Sequence, residues 1–97
     1  MAITHVTRFH AASGEEGVLA DLIRESRTRM RSSEGCEVFD VYADAADPRG
    51  FVFLQRWSSS AAHDTAFVER ILQTGHLDKV LAVLDEPIVQ HTYDELD

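Results

Sequence analysis

The sequence has little of what several classes of protein require. Its single cysteine, Cys36, can form neither an internal disulfide nor a thiolate metal cluster, which fits a reducing compartment and predicts a cytoplasmic protein. No apolar run approaches the roughly 20 residues of a membrane-spanning helix, and the first residues lack the charged and apolar regions of an export signal. We therefore expect no membrane insertion and no export.

Phosphate-binding glycine motifs and positive charge are also scarce. The five glycines form neither Gly-x-Gly-x-x-Gly nor a P-loop, so no cradle for a nucleotide cofactor is visible. Nine basic against 17 acidic residues give a formal net charge of −8, which would repel a phosphate backbone over most of the surface. Nucleic acid is therefore not an expected partner.

What remains is a short chain with a globular composition. Its 97 residues fit a single domain, residues 1–97, because two separate cores would each be too small to offset chain entropy. Hydrophobic residues make up 44% and charged residues 27%, as in folded proteins. A domain this small often buries more surface by pairing with a second copy, which favours a homodimer.

Hydrophobic periodicity predicts four strands and two helices, the second of them split. The first helix should start at the capping box Ser13-x-x-Glu16 and end near residues 31–33, where basic residues crowd its last turn. Ser58, Ser59 and Ser60 offer N-caps for the second helix, and Thr74 for its second piece. Strands are predicted at residues 2–11, 36–43, 51–57 and 88–93. This order is the ferredoxin-like split β-α-β-β-α-β pattern of an α+β antiparallel sheet.

The third predicted strand, residues 51–57, is almost unbroken in its apolar residues. Such a strand is expected to be covered on both faces. Helices can cover one face, but the chain has few residues left for the other. The sheet of a partner subunit is therefore the expected cover, again predicting a homodimer.

Four motifs together resemble the antibiotic-biosynthesis-monooxygenase family. They are Glu34-Gly-Cys36, Phe51-Val-Phe-Leu-Gln-Arg-Trp57, Ser59-Ser-Ala-Ala-His63 and Thr74-Gly-His-Leu77. The resemblance covers nearly the whole chain, with about four additional residues around positions 68–71. It implies a dimeric α/β barrel in which two sheets face each other, with a pocket in each subunit between the sheet and its own helices.

The resemblance also frames the expected chemistry. The family includes oxygenases of quinols and polyketides that use no cofactor, haem degraders, isomerases of signal molecules and members without known activity. Haem-degrading relatives pair an Asn on strand one with a His on the last helix, and strand one here has no Asn. The first hypothesis is therefore a cofactor-independent monooxygenase that uses dioxygen on a small aromatic, quinol or polyketide-like substrate.

Oxygen insertion without a cofactor needs an ionised, electron-rich substrate, and histidine is the natural base near neutral pH. His63 follows Trp57 by six residues, where cofactor-free relatives use a polar residue beside the Trp. The indole of Trp57 could stack on a planar substrate or aim its N–H at a developing oxyanion. The alternative is a core anchor at Trp57 and a half-exposed helix residue at His63.

His76 is the second candidate base, and the rest of the predicted pocket is aromatic. His76 falls in the first turn of the last helix, where the helix dipole would keep it neutral, although a capping role is equally natural. The hydroxyl of Tyr42 could reach the same pocket, or Tyr42 could be a residue of the sheet rim. The predicted apolar walls are Phe9, Phe53 and Phe67.

Two other functions are compatible with the same pocket, and one pair of histidines could suggest a metal site. The same pocket could serve a non-catalytic binding module for an apolar metabolite, or an isomerase of a small polar signal molecule, which would need a more hydrophilic lining. His5 and His91 might approach each other across strands one and four, but no spacing or nearby carboxylate completes a ligand set. No resident metal is therefore predicted.

Overall fold

The computed structural model describes residues 1–97 and contains the predicted order of elements. The strands are β1 (Ile3–His10), β2 (Cys36–Ala43), β3 (Gly50–Trp57) and β4 (Val89–Asp94). The helices are α1 (Glu16–Met30), α2 (Ser60–Phe67) and α3 (His76–Leu81), with a π-helical segment at Val68–Leu72. The predicted α+β, ferredoxin-like class is confirmed. None of its helices has the length and the apolar composition that a membrane span requires.

The four strands form one antiparallel sheet in the order β2-β3-β1-β4. Side chains alternate between its two faces, so the apolar run of β3 divides cleanly. Phe51, Phe53, Gln55 and Trp57 are buried beneath the helices, whereas the residues between them are half-buried on the opposite face. The alternation is not visible in the sequence of β3 because Val52 and Leu54, on the opposite face, are apolar as well.

The core lies between the sheet and the helices. Trp57 is fully buried there, together with Leu19 and Ile23 of α1 and the phenylalanines of β1 to β3. α1 supplies this apolar stripe at helical spacing, as its sequence predicts. Burying an aromatic or large aliphatic side chain contributes about 1.5 to 3 kcal/mol each, so these contacts fix the helices on the sheet.

The helix ends differ in detail from the capping predictions. α1 begins at Glu16 with Glu15 as N-cap and no side-chain cap, so the capping box at Ser13 is wrong. Instead, the backbone N–H of Gly14 donates to the Glu16 carboxylate at 2.8 Å. For α2 the prediction of a serine cap is confirmed, because Ser59 Oγ accepts from the N–H of Ala62.

The additional residues between α2 and α3 are accommodated by the π-helical segment Val68–Leu72. Such wide turns commonly absorb an insertion and often occur at functional sites. Gly75 then separates this segment from α3, with a φ of 77°, which a residue with a Cβ adopts only under strain. Thr74 is not the N-cap of α3, although its hydroxyl accepts a long 3.4 Å bond from the N–H of His76.

The face of the sheet opposite the helices is covered by no other part of the chain. Cross-strand register places Val6 of β1 beside Leu54 of β3 and His91 of β4 on this face. Val52 continues the apolar patch, and Tyr42 borders it on β2. We call these residues, with Val38, Val89 and Tyr93, the open face.

Candidate functional site

A cavity of about 230 Å³ lies between the sheet and the helices. Nine of its fifteen lining residues are hydrophobic, so its environment suits an apolar ligand rather than a small polar one. The polar lining residues are few and stand apart from one another in the chain. They are Thr7, Ser26, Gln55, His63, His76 and Gln90.

His63 extends from the first turn of α2 to one end of this cavity. Its ring stacks on Phe67, with centroids 5.7 Å apart, and meets the rings of Trp57 and His5 edge-on at 5.4 and 4.6 Å. Its Nδ1 lies 2.9 Å from a carboxylate oxygen of Asp64. An ionised carboxylate only accepts, so Nδ1 carries the hydrogen and Nε2 keeps a lone pair. No protein group bonds Nε2, which makes His63 a competent proton acceptor.

Trp57 lies behind His63 rather than in the cavity wall. Its side chain is fully buried, and its indole N–H donates to Gln55 Oε1 at 3.0 Å. The sequence-based expectation that the indole aims this N–H at a substrate oxyanion is therefore wrong, because Gln55 already accepts it. The anchor reading of Trp57 describes its position better.

His5 supports the same end of the cavity from β1. It is buried, and its Nδ1 lies 2.8 Å from Thr92 Oγ1 on β4. Burial lowers the pKa of His5, and the nearby His63 lowers it further. An uncharged His5 ring exerts no charge repulsion on the neighbouring ring of His63.

His76 occupies a different environment, where α3 packs on α1. It is almost fully buried, with Nε2 2.7 Å from Ser26 Oγ and 3.1 Å from the Leu22 carbonyl oxygen. A carbonyl only accepts, so Nε2 carries a hydrogen. Nδ1 lies 2.6 Å from the Glu25 carboxylate without the alignment of a hydrogen bond.

Burial lowers the pKa of His76, against an opposing effect of Glu25, and so favours the neutral ring. The direction of this shift agrees with the sequence-based expectation, but its physical cause is burial rather than a helix dipole. Because Nε2 is a donor to α1 and Nδ1 is buried, neither nitrogen is available to take a proton from a ligand. His76 connects α1 to α3.

The remaining predicted residues divide into two groups. Phe9, Phe53 and Phe67 line the cavity, as expected, while their roles in binding stay a prediction. Tyr42 does not line it: the side chain is 52% exposed on the open face, and its hydroxyl donates to Asp40 at 3.5 Å. The expectation that Tyr42 reaches the pocket is wrong because its place in the β2 alternation turns it away from the helices.

Several polar lining residues were not predicted. Gln55 is the one polar residue on the buried face of β3, a signal that a strict alternation pattern would have exposed. Ser26 interrupts the apolar stripe of α1, where its hydroxyl donates to the Leu22 carbonyl at 3.0 Å. Thr7 and Gln90 join across β1 and β4 at 2.8 Å, a pairing that only the strand register reveals.

The other histidines do not form the metal site between strands one and four. His5 and His91 lie on adjacent strands but on opposite faces of the sheet. His10 does gather carboxylates: Nδ1 lies 2.6 Å from Asp85 and 2.9 Å from Glu86. Its Nε2 lies 3.0 Å from Asp47, so both ring nitrogens serve as donors in ion pairs, and the hydrogen bond to Asp85 is the main reason that the pKa of His10 is raised.

Fold and cavity together define an α+β sheet protein with an apolar, histidine-edged ligand pocket. The family model for antibiotic biosynthesis monooxygenase matches residues 2–76, and the chain belongs to this family. A sequence search of curated proteins finds no match.

Solved structures share the fold at low sequence identity. Rv0793 from Mycobacterium tuberculosis is 22% identical over 100% of this chain and 97% of its own, with a TM-score of 0.89. PA3566 from Pseudomonas aeruginosa is 21% identical over 99% and 95% of the two chains, with a TM-score of 0.86. A variant of SnoaB, a cofactor-independent oxygenase from Streptomyces nogalater, is 12% identical over 99% and 94%, with a TM-score of 0.84.

Proposed function

We propose that the protein is a cofactor-independent monooxygenase of a small hydroxylated aromatic or quinol. The observation that carries this proposal is the unpartnered Nε2 of His63 at the wall of a mostly apolar cavity. Family membership supports the reaction class, and the structural likeness to SnoaB is in keeping with it. The apolar lining disfavours the isomerase of a polar signal molecule.

The chemistry needs only the substrate, dioxygen and a base. His63 Nε2 takes a proton from the substrate, and the resulting anion is electron-rich at a ring carbon. For a substrate with a reactive CH₂, such as an anthrone, that carbon forms a bond to dioxygen and gives a hydroperoxide. Loss of water leaves a carbonyl, so R₂CH₂ and O₂ become R₂C=O and H₂O. The substrate supplies all the electrons, and no external reductant is required.

The cavity size limits the substrate. Cavities of about 150 Å³ hold a benzene molecule. At about 230 Å³ this cavity accommodates one or two fused rings, and a larger polycycle would extend through its mouth. Simple hydroquinones and naphthols are therefore the first compounds to test, followed by anthrones.

The proposal is tested by oxygen uptake with this panel, using protein treated with a chelator and checked by absorbance for haem and flavin. We expect uptake that requires substrate and protein, with bound metal well below one ion per chain. Saturable binding of the same compounds without uptake above background would instead identify a non-catalytic binding module. A stoichiometric haem or flavin band would contradict the cofactor-independent mechanism.

We also propose that the active form is a homodimer joined through the open face. The family typically dimerises. Val6, Val52 and Leu54 form an apolar centre on this face, with nothing from the same chain over it. Burying such a centre against a second copy supplies the cover that β3 lacks.

Sedimentation equilibrium at micromolar concentration should give twice the 10.9 kDa chain mass. Leu54→Asp would bury an unpaired charge in the interface and should yield monomer or unfolded chain. Val18→Asp is the matched control, since Val18 is 49% exposed on α1, away from the open face. A wild-type mass of one chain throughout this range would contradict the dimer.

A further inference from the structure

The side-chain amide of Gln55 has a fixed orientation. Its Oε1 lies 3.0 Å from the indole nitrogen of Trp57. The indole N–H is a donor only, so the oxygen of the amide, and not its nitrogen, must face Trp57. The NH₂ group of Gln55 therefore points away from the indole.

The NH₂ group is left with the cavity as its surroundings. Gln55 is only 4% exposed, yet it lines the cavity, and its nitrogen makes no hydrogen bond to the protein. This unpaired nitrogen is not fully enclosed by protein atoms and retains accessible surface. Two N–H donors thus face a mostly apolar space, where an unmade hydrogen bond is costly and a ligand oxygen would be held strongly.

Gln90 provides an informative contrast within the same cavity. Its Oε1 accepts from the hydroxyl of Thr7 at 2.8 Å. A hydroxyl can donate or accept, so Thr7 does not impose one orientation on the Gln90 amide, and Gln90 is itself an exposed residue. Only Gln55 combines burial with an amide locked by an obligate donor.

We propose that the Gln55 NH₂ group is the hydrogen-bond donor that binds the ionised oxygen of the ligand, and that Trp57 is the positioning residue that orients it. The ligand class is an aromatic whose hydroxyl is bound as the anion. In assigning the deprotonation to His63 this inference rests on the proposed function. Gln55 and His63 both contact Trp57, with ring centroids of Trp57 and His63 5.4 Å apart, so base and donor lie at one end of the cavity.

The test is a spectroscopic titration of bound 4-nitrophenol, whose anion is yellow and whose neutral form is not. Binding is measured from pH 5 to 9 without any requirement for turnover. In the wild-type protein the pKa of the bound phenol should fall by about one pH unit relative to water, because charge-assisted hydrogen bonds favour the anion. The protein is used as the full chain in its native assembly.

Gln55→Glu retains an oxygen for the indole N–H but replaces the donor by a second acceptor. It should abolish the downward pKa shift of the bound phenol and weaken anion binding by about tenfold or more. Gln90→Glu is the matched control, because it adds the same charge to the cavity wall at the other glutamine. It should change anion binding by much less.

Gln55→Leu covers the case in which a buried glutamate prevents folding, since it removes both donor and acceptor without adding charge. Trp57→Phe tests the positioning role: it keeps an aromatic core residue but frees the amide to turn, so the pKa shift of the bound phenol should shrink while Gln55 is still present. Circular dichroism confirms that each variant is folded.

The proposal is overturned if wild-type protein binds no anion preferentially, or if Gln55→Glu and Gln55→Leu both keep the wild-type pKa of the bound phenol. Neither outcome depends on whether the protein consumes oxygen, which is measured separately. Conversely, a Gln55-dependent shift in protein that consumes no oxygen would sustain the donor role and refute the oxygenase. The two failures are therefore distinguishable.

Discussion

The two cavity histidines differ in what surrounds their ring nitrogens. His63 has one nitrogen held by the exposed Asp64 and the other without a protein partner. In His76, Nε2 is hydrogen-bonded to Ser26 and Leu22 of α1, and Nδ1 is buried beside the Glu25 carboxylate, away from any ligand. The same residue type is thus poised for proton transfer at one place and for packing at the other.

The comparison shows that a neutral histidine in a cavity wall is not by itself a base. Burial lowers the pKa of His76, which would suit catalysis by a neutral ring, but its hydrogen-bond donor faces a backbone carbonyl. A base also needs a lone pair within reach of the substrate. His63 meets that requirement because Asp64 lies beside it in sequence and fixes the hydrogen on Nδ1.

The largest effect is expected from His63→Ala. Loss of the base should lower the rate of oxygen uptake by about 10²-fold to 10⁴-fold. Asp64→Asn should lower the rate far less, because Asp64 is mostly exposed and orients the ring without contacting substrate. Oxygen-electrode rates for both variants check this, and the comparison between the histidines would be reversed if only His76→Ala were slow.

His76→Ala should act on stability instead. Removing a buried ring that links α1 to α3 should lower the free energy of unfolding by about 2 to 4 kcal/mol. His63→Ala, at the edge of the cavity, should cost clearly less. Urea unfolding of the two variants measures the difference. Equal decreases in the free energy of unfolding would contradict the structural role assigned to His76.

The pH dependence sharpens the assignment of His76. Its pKa in the folded protein lies below the ordinary value of 6.5, so the unfolded chain binds the proton more tightly. The wild-type free energy of unfolding should therefore fall as the pH is lowered from about 6.5 through the folded pKa. In His76→Ala this acid sensitivity should be smaller, with His5 contributing the remainder in the same direction. An unchanged acid profile in urea titrations would contradict the neutral, buried ring.

The smallest effect is expected at His10, whose pKa is shifted in the opposite direction to those of His5 and His76. Its pKa is raised, chiefly by the hydrogen bond to Asp85, so its contribution to stability is complete below 6.5 and is lost as the pH rises through the folded pKa. His10→Asn should therefore lower the melting temperature more at pH 6 than at pH 9. A loss that grew with pH would have the wrong sign for these ion pairs.

The fold could be predicted well from the sequence because its elements depend on local patterns. The apolar stripe of α1 and the serines before α2 indicate elements whose bounds the structure confirms to within a few residues. The capping box at Ser13 failed because a different local hydrogen bond, from Gly14 to Glu16, satisfies the helix start. The π-helical segment could not be predicted, because its wide turn has no periodicity of its own.

The site was less predictable because its chemistry depends on contacts between distant segments. His63, Phe9 and Phe53 were placed in the cavity by the family resemblance together with the strand pattern, and the structure finds them there. The contact of Trp57 with Gln55 follows from the two-residue alternation along β3, but the hydrogen bond that it forms does not. The contact of His76 with Ser26, fifty positions earlier, requires the packing of α3 on α1. No pattern along the chain encodes the contact between His76 and Ser26.

The most direct test of the account is a crystal structure with a bound phenol such as 1-naphthol. The account predicts the ring among Phe9, Phe53 and Phe67, with its oxygen within hydrogen-bond distance of both His63 Nε2 and Gln55 Nε2. A ligand whose oxygen instead displaces the contact between Ser26 and His76 would contradict it.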